Sequence, residues 1–255
     1  MSQPKILVYD IETSPSLGWA WTKWDTNINE IAQDWHFLCF AYKWLGDKSV
    51  RTVAQPDFVS RYRKDRTDDY DVVKALWHLF DEADIVVAHN GNRFDQTKTR
   101  ARFLQHGFDP PSPFREVDTL REARRHFNFI SNSLDDLCRQ LGIGRKAYDG
   151  GFNTWLQCMA GDKTAWSRML KYNKQDVNML EALYLRLLPW MEGHPNMALI
   201  SDRPDACTKC GSDLGFKSNG WRYYQVTKRR VFKCKDCGAS SYGRVMEKSP
   251  VTKVS

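Results

Sequence analysis

The chain has 255 residues, of which 42% are hydrophobic and 27% charged, and no apolar stretch approaches the roughly 20 residues of a bilayer-spanning helix, which excludes a membrane-spanning protein. Its formal charge is +7, and residues 201–255 hold 12 Lys and Arg against 5 Asp and Glu, so the whole excess lies in that last segment. A clustered positive field attracts polyanions, which makes nucleic acid the first partner to consider and a solubilising basic tail the second reading. The length predicts one substantial core and a small appended module.

The N-terminus runs from Met1-Ser2-Gln3-Pro4-Lys5 directly into a strand-like segment. It has no basic, apolar and small-residue succession of a secretory signal, and a cytosolic compartment is expected. Lys5 to Glu12 is β-branched and aliphatic and closes on Thr13-Ser14-Pro15, which predicts a buried strand ending in a turn. Side chains alternate along a strand, so Asp10 and Glu12 share one face at its C-terminal end. A tryptophan-rich stretch follows. Trp19, Trp21 and Trp24 have the chemistry to stack on an unpaired base, but at least two of them are expected to cover a core edge instead. Phe37 to Trp44 and Ser49 to Val53 read as two further strands, which with the first make a meander.

From Tyr70 to Ala83 the apolar residues Val73, Leu76, Trp77 and Phe80 recur at helical spacing, and Asp84 to His89 is again a short apolar run. Asp95 to Gly107 reads as a helix closed by glycine, Phe114 to Asp118 as a short strand, and Ser133-Leu134-Asp135-Asp136 as a capped helix start. The longest periodic segment, from about Asp162 to Leu188, carries Trp166, Leu170, Val177, Leu180, Tyr184 and Leu187 on one face. A meander followed by alternating helices and strands predicts a three-layer α/β/α domain with a mixed five-stranded sheet. Three prolines and no periodicity from Pro189 to Asp205 place a boundary there, giving a domain at 1–190, a linker at 191–204 and a second module at 205–255.

Asp95 stands at the mouth of a helix just after a buried strand, and Tyr172 and Asp176 lie four apart on one helix face. Taken singly, each has a plain structural reading as a cap or a surface pair. Gathered in one cleft, four carboxylates repel unless cations occupy it, and Mg²⁺ or Mn²⁺ prefers such an all-oxygen site. Asp10-Ile11-Glu12-Thr13, Asn90-Gly91-Asn92-Arg93-Phe94-Asp95 and Tyr172-Asn173-Lys174-Gln175-Asp176 resemble, in order, the three motifs of the DEDD exonucleases of the ribonuclease-H-like superfamily. The last motif is similar to that of the tyrosine subclass, the likeness extends over most of residues 5–190, including Ser133 to Leu137 and Tyr172 to Trp190, and the chain resembles exonuclease-like proteins of bacteriophage. It implies a metal-dependent 3′→5′ exonuclease in which Asp10, Glu12, Asp95 and Asp176 hold two Mg²⁺ or Mn²⁺ ions and Tyr172 orients the attacking water. Thr13 and Asn90 adjoin these motifs and are candidate contacts to the terminal nucleotide, or else satisfy backbone groups. DNA, as a single strand, is the favoured substrate. A structure-selective endonuclease of the same fold and a non-catalytic nucleic-acid-binding or recruitment protein are the competing functions.

Cys39, Cys138 and Cys158 are isolated in apolar or amphipathic segments and read as buried reduced thiols. Cys207, Cys210, Cys234 and Cys237 form two Cys-x-x-Cys pairs, each followed by glycine, which predicts a closed structural zinc site in a zinc ribbon. Trp221 to Phe232 reads as its hairpin. Tyr223, Tyr224, Lys228, Arg229 and Arg230 mix aromatic and basic groups as a surface for phosphates and bases does. A replication or recombination protein is the alternative partner of this basic face.

Overall fold

The computed structural model describes residues 4–22, 24 and 27–248, the last five of these by their backbone alone. Contacts divide the chain into two compact units, Lys5–Leu183 and, with the first four residues, Tyr184–Ser255. That division falls inside one long helix, rather than at residue 190.

The larger unit is built on a five-stranded sheet. Its strands are β1 (Ile6–Thr13), β4 (Phe37–Trp44), β5 (Arg51–Ala54), β6 (Ile85–Ala88) and β7 (Arg115–Asp118), with β2 (Leu17–Trp19) and β3 (Glu30–Gln33) pairing apart as a hairpin. The order is β5-β4-β1-β6-β7. β5, β4 and β1 are antiparallel neighbours, as the predicted meander requires, whereas β6 and β7 run parallel to β1. Parallel pairing needs crossovers, and α2 (Tyr70–Glu82) and α3 (Asp95–Gln105) supply them. The sheet is therefore mixed, and β1 lies at its centre.

β1 alternates as its sequence predicts. Leu7, Tyr9 and Ile11 pack with Val73, Leu76 and Phe80 of α2 and Phe103 of α3. Tyr9 and Phe80 meet edge to face, their ring centroids 5.1 Å apart. Asp10 and Glu12 consequently point to the opposite face. On the far side of the sheet Leu38 and Cys39 pack with Cys158 of α6 (Phe152–Ala160) and with Trp166 and Met169 of α7 (Lys163–Leu187). Burying one such Leu or Phe stabilises the fold by about 1.5–3 kcal/mol. The three isolated cysteines are fully buried free thiols, as expected.

Four short helices complete the unit's frame. They are α1 (Val59–Lys64), α4 (Thr119–His126), α5 (Leu134–Gln140) and α6, of which only α5 is legible in the sequence. Ser133 caps α5, its Oγ accepting from the Asp136 amide at 3.2 Å. The tryptophans of the 17–33 segment depart from expectation: Trp19, Trp21 and Trp24 are 68%, 89% and 84% exposed. The reason is topological, since β2 and β3 form a separate two-stranded sheet outside the five-stranded one.

In the smaller unit, the predicted 191–204 linker contains a helical turn, α8 (Met197–Ile200), whose N-cap Asn196 accepts from the Ala198 amide. Met191, Met197 and Ala198 are buried, and the Met197 amide donates to the Thr208 carbonyl at 3.0 Å, so this stretch is packed structure. Beyond it lies a three-stranded antiparallel sheet, β8 (Phe216–Tyr223), β9 (Thr227–Cys234) and β10 (Ser240–Lys248), with β9 central. The expected hairpin is β8–β9, and β10 is a third strand that the sequence reading missed.

Candidate active site

The site grows from the C-terminal end of β1. The β1–β4 register slips between Glu12 and Thr13, a local bulge of the kind that re-aims side chains at strand ends. Asp10 and Glu12 leave the strand just before it, on the face that α7 covers. Asn173 of α7 fixes the first of them: its Nδ2 donates to Asp10 Oδ2 at 2.7 Å and to the Asp10 carbonyl at 3.2 Å. Asn173 itself is fully buried.

Asp95 opens α3 and is 3% exposed. Its position at a helix N-terminus favours negative charge, and its Oδ1 faces the Ile11 amide, 3.4 Å away, between the two β1 carboxylates. Tyr172 and Asp176 stand one turn apart on α7, as their spacing predicts. Asp176 is 2% exposed, and its Oδ1 is buried without a hydrogen-bond partner. The other oxygen, Oδ2, accepts from Lys146 Nζ at 2.5 Å, and the same ammonium donates to the Tyr172 hydroxyl at 2.8 Å.

Lys146 is the residue that sequence reasoning overlooked. It lies in an irregular segment between α5 and α6, where no periodicity or motif points to it. Its backbone is tied down by the Lys146 amide donating to Asp135 Oδ1 at 2.7 Å. The side chain then crosses the Tyr172 ring, 5.0 Å from its centroid, to reach Asp176. Burial pulls its pKa down, but Asp176 and Tyr172 together hold it above the ordinary lysine value.

The electrostatics reflect crowding. Burial, then the charges of Asp95, Glu12 and Asp176, push Asp10 well above the usual carboxylate range, with Lys146 opposing. Burial and Asp176 raise Glu12 to about 8, against Lys146 and a hydrogen bond with Trp155. Burial raises Asp95 to about 7, although backbone amides work the other way. Burial also raises Asp176, and raises the Tyr172 phenol above its ordinary value, so the phenol stays protonated at neutral pH. Four acids and one ammonium leave the site short of cations when every acid is ionised.

The donor set fits hard divalent ions. All the donors are oxygens, and the orphaned Asp176 Oδ1 is a buried acceptor that lacks a partner. Among the described residues, only the four C-terminal cysteines have three or more ligand atoms all within 4.8 Å of one another, so the four acids line a wider site than the thiolates do.

Asp118, at the end of β7, shapes the loop before Asp95. It caps α4, its Oδ1 accepting from the Leu120 amide, and it also accepts from the amides of Asn90 at 2.9 Å and Asn92 at 3.3 Å. Asn90 adopts a left-handed φ of +65°, a conformation this clamp holds. Asn90 lines a cavity of about 640 Å³ together with Asp10, Arg124, Asn132, Asp135 and Lys146. Thr13 ends β1 next to Glu12, its hydroxyl accepting from Lys98 Nζ at 3.2 Å.

In the smaller unit, the Sγ atoms of Cys207 and Cys237 are 3.7 Å apart and those of Cys210 and Cys234 are 3.8 Å apart. A tetrahedron with Zn–S bonds of about 2.3 Å has edges of about 3.8 Å, whereas a disulfide would bring two sulfurs to about 2.05 Å. Gly211 and Gly238 take φ of +72° and +76°, which lets their amides turn back onto the carbonyls of Cys207 and Cys234. Lys228 and Arg230 lie over the Trp221 ring, at 4.7 and 5.1 Å, while Tyr223 and Tyr224 are exposed. Arg229 sits opposite Arg222 and Met246 in the sheet.

A model of the RNase H superfamily matches residues 31–188, more than half of the sequence. The chain belongs to the RNase H superfamily. The mixed sheet and its order accord with that membership, which points to a metal-using nuclease acting on nucleic acid. The match begins after β1, so Asp10 and Glu12 of this RNase H superfamily chain are placed by the sheet and not by the alignment. A comparison with curated proteins finds no match. Among the described residues no helix is long and apolar enough to cross a membrane.

Proposed function

We propose that the chain is a metal-dependent 3′→5′ exonuclease, acting on DNA in single-stranded form, with a zinc ribbon that grips the substrate. The observation that carries this is the convergence of Asp10, Glu12 and Asp95 with Tyr172 and Asp176 on one buried, cation-poor site. In this reading Asp10, Glu12, Asp95 and Asp176 hold two divalent ions. Such ions, when bound, supply a nucleophilic hydroxide and neutralise the charge on the scissile phosphate.

The chain's own groups do the positioning. Tyr172, kept as a neutral phenol, donates a hydrogen bond to the attacking water and does not serve as a base at neutral pH. Lys146 holds the Tyr172 hydroxyl and the Asp176 carboxylate in register and places a positive charge beside the reacting phosphate. Asn173 orients Asp10. Asn90, which shares a cavity lining with Asp10, and Thr13, next to Glu12 in β1, would contact the terminal nucleotide. The ribbon, residues 205–255, would hold one structural zinc and contribute Tyr223, Tyr224, Lys228, Arg229 and Arg230 to backbone and base contacts.

The test is product polarity. A 5′-labelled single-stranded oligonucleotide with Mg²⁺ or Mn²⁺ should yield a ladder shortened one nucleotide at a time, and a 3′-blocked or circular strand should resist. Cutting of the circular strand would instead make the protein an endonuclease.

A further inference from the structure

The β2–β3 hairpin forms an arm that leaves the end of β1 and pairs apart from the five-stranded sheet. Leu17, Trp19, Trp21 and Ile31 are all more than half exposed, and the register sets Ile31 opposite Gly18, on the face away from Trp19. Large apolar groups left exposed on a small element mark a contact surface. The foot of the arm is locked. The Ser14 amide donates to the His36 carbonyl at 2.8 Å, and the His36 amide donates to Ser14 Oγ at 2.9 Å. Ser14 is two residues beyond Glu12, so the arm's root is fixed relative to the carboxylates.

A basic and aromatic strip links that root to the acids. Trp35 leaves the hairpin, and Lys98 Nζ rests 4.0 Å from its ring centroid and 5.0 Å from that of Phe94, the residue before Asp95. An ammonium has three donors, and Thr13 Oγ1 takes one of them. Arg93 is exposed on the loop beside Phe94. Lys98 touches Thr13 and Phe94, the chain neighbours of Glu12 and Asp95, and with the exposed indoles of the arm it offers a phosphate contact and base-stacking faces, as an unpaired strand requires. A protein partner would account for the indoles but not for an ammonium beside the carboxylates' own neighbours.

We propose that the β2–β3 hairpin is a base-stacking arm: Trp19 and Trp21 hold unpaired bases of the strand whose end lies among the carboxylates, and Lys98 grips its backbone. The arm rests on the exonuclease reading for its direction, yet its stacking is measurable without catalysis. It makes the protein select strands that carry bases over those that carry only the sugar-phosphate backbone.

The test is equilibrium binding of short labelled single-stranded DNA, with Ca²⁺ in place of Mg²⁺, to the full chain and to Trp19→Ala/Trp21→Ala and Trp19→Phe/Trp21→Phe variants. Each strand is used intact and as an abasic analogue. The native chain should prefer the intact strand. The alanine variant should lose roughly tenfold in affinity for it and little for the abasic one, and the phenylalanine variant should recover most of that loss. Equal binding of both strands by native and alanine proteins would overturn the proposal. So would sedimentation showing that the tryptophans join two copies of the chain while DNA affinity stays unchanged. Cleavage with Mg²⁺, measured separately, decides the exonuclease reading: a protein that discriminates bases but never cuts would refute that reading and leave the arm standing.

Discussion

Lys146 Nζ lies 2.5 Å from Asp176 Oδ2, so the cation-poor site carries one built-in positive charge, held against the acid that is 2% exposed. The pair bridges the irregular 141–151 segment and the long helix α7. It joins two parts of the chain that share no secondary structure.

Lys146→Met should therefore lower the stability of the metal-free protein by on the order of 2 kcal/mol, less than for a fully buried pair because the lysine side chain keeps contact with solvent. Saturating Mn²⁺ should recover most of that loss by supplying the missing charge. Thermal melts with and without the ion check it, and equal melting temperatures for native and variant protein in EDTA would contradict it.

The raised pKa values give stability a pH dependence with a definite sign. Glu12 and Asp95 titrate near 8 and 7 in the folded chain and near 4 when unfolded, so the native state holds their protons more tightly between those limits. The stability this gives is full below about pH 4 and is lost as pH rises through 7 to 8. Divalent ions bind the ionised acids and reverse that loss. The Mg²⁺-induced rise in melting temperature should accordingly be larger at pH 8 than at pH 6, and the opposite order would exclude metal binding by these acids.

Tyr172→Phe removes the hydroxyl that Lys146 holds while keeping the ring that packs 6.4 Å from Trp155. Turnover of a single-stranded oligonucleotide should fall roughly a hundredfold with little change in KM, as for the loss of one oriented donor. A change in KM alone would make Tyr172 a binding residue.

Much of this arrangement was legible in the sequence, and the reason is periodicity. The alternation of β1 puts Asp10 and Glu12 on one face, and the four-residue spacing of Tyr172 and Asp176 puts both on one side of α7. Lys146 was not legible, because a residue in an irregular segment has no period to reveal where its side chain goes. Asn173 was hidden by its neighbour: it sits within the recognised motif, and only the packing of α7 against β1 shows that it serves Asp10. The exposed hairpin was misjudged for a related reason, since tryptophans usually cover a core edge, and pairing partners decide whether such an edge exists.

The four clustered cysteines could hold a zinc ion. The protein should contain one zinc per chain, and Cys234→Ser should release it and unfold the β8–β10 sheet, because a sheet this small buries little apolar surface without the metal. Metal analysis of the purified native and variant proteins decides this. Full zinc occupancy in the variant would remove the four-thiolate site.

If Asp10, Glu12, Asp95 and Asp176 close around a shared pair of cations, crystals soaked in Mn²⁺ should reveal it by anomalous diffraction. Two peaks should lie between β1 and α7, each with carboxylate oxygens from these residues at about 2.0–2.3 Å, and none there in Asp10→Ala/Asp176→Ala. A native map with no manganese among the four acids, and Lys146 still the only cation against Asp176, would contradict it.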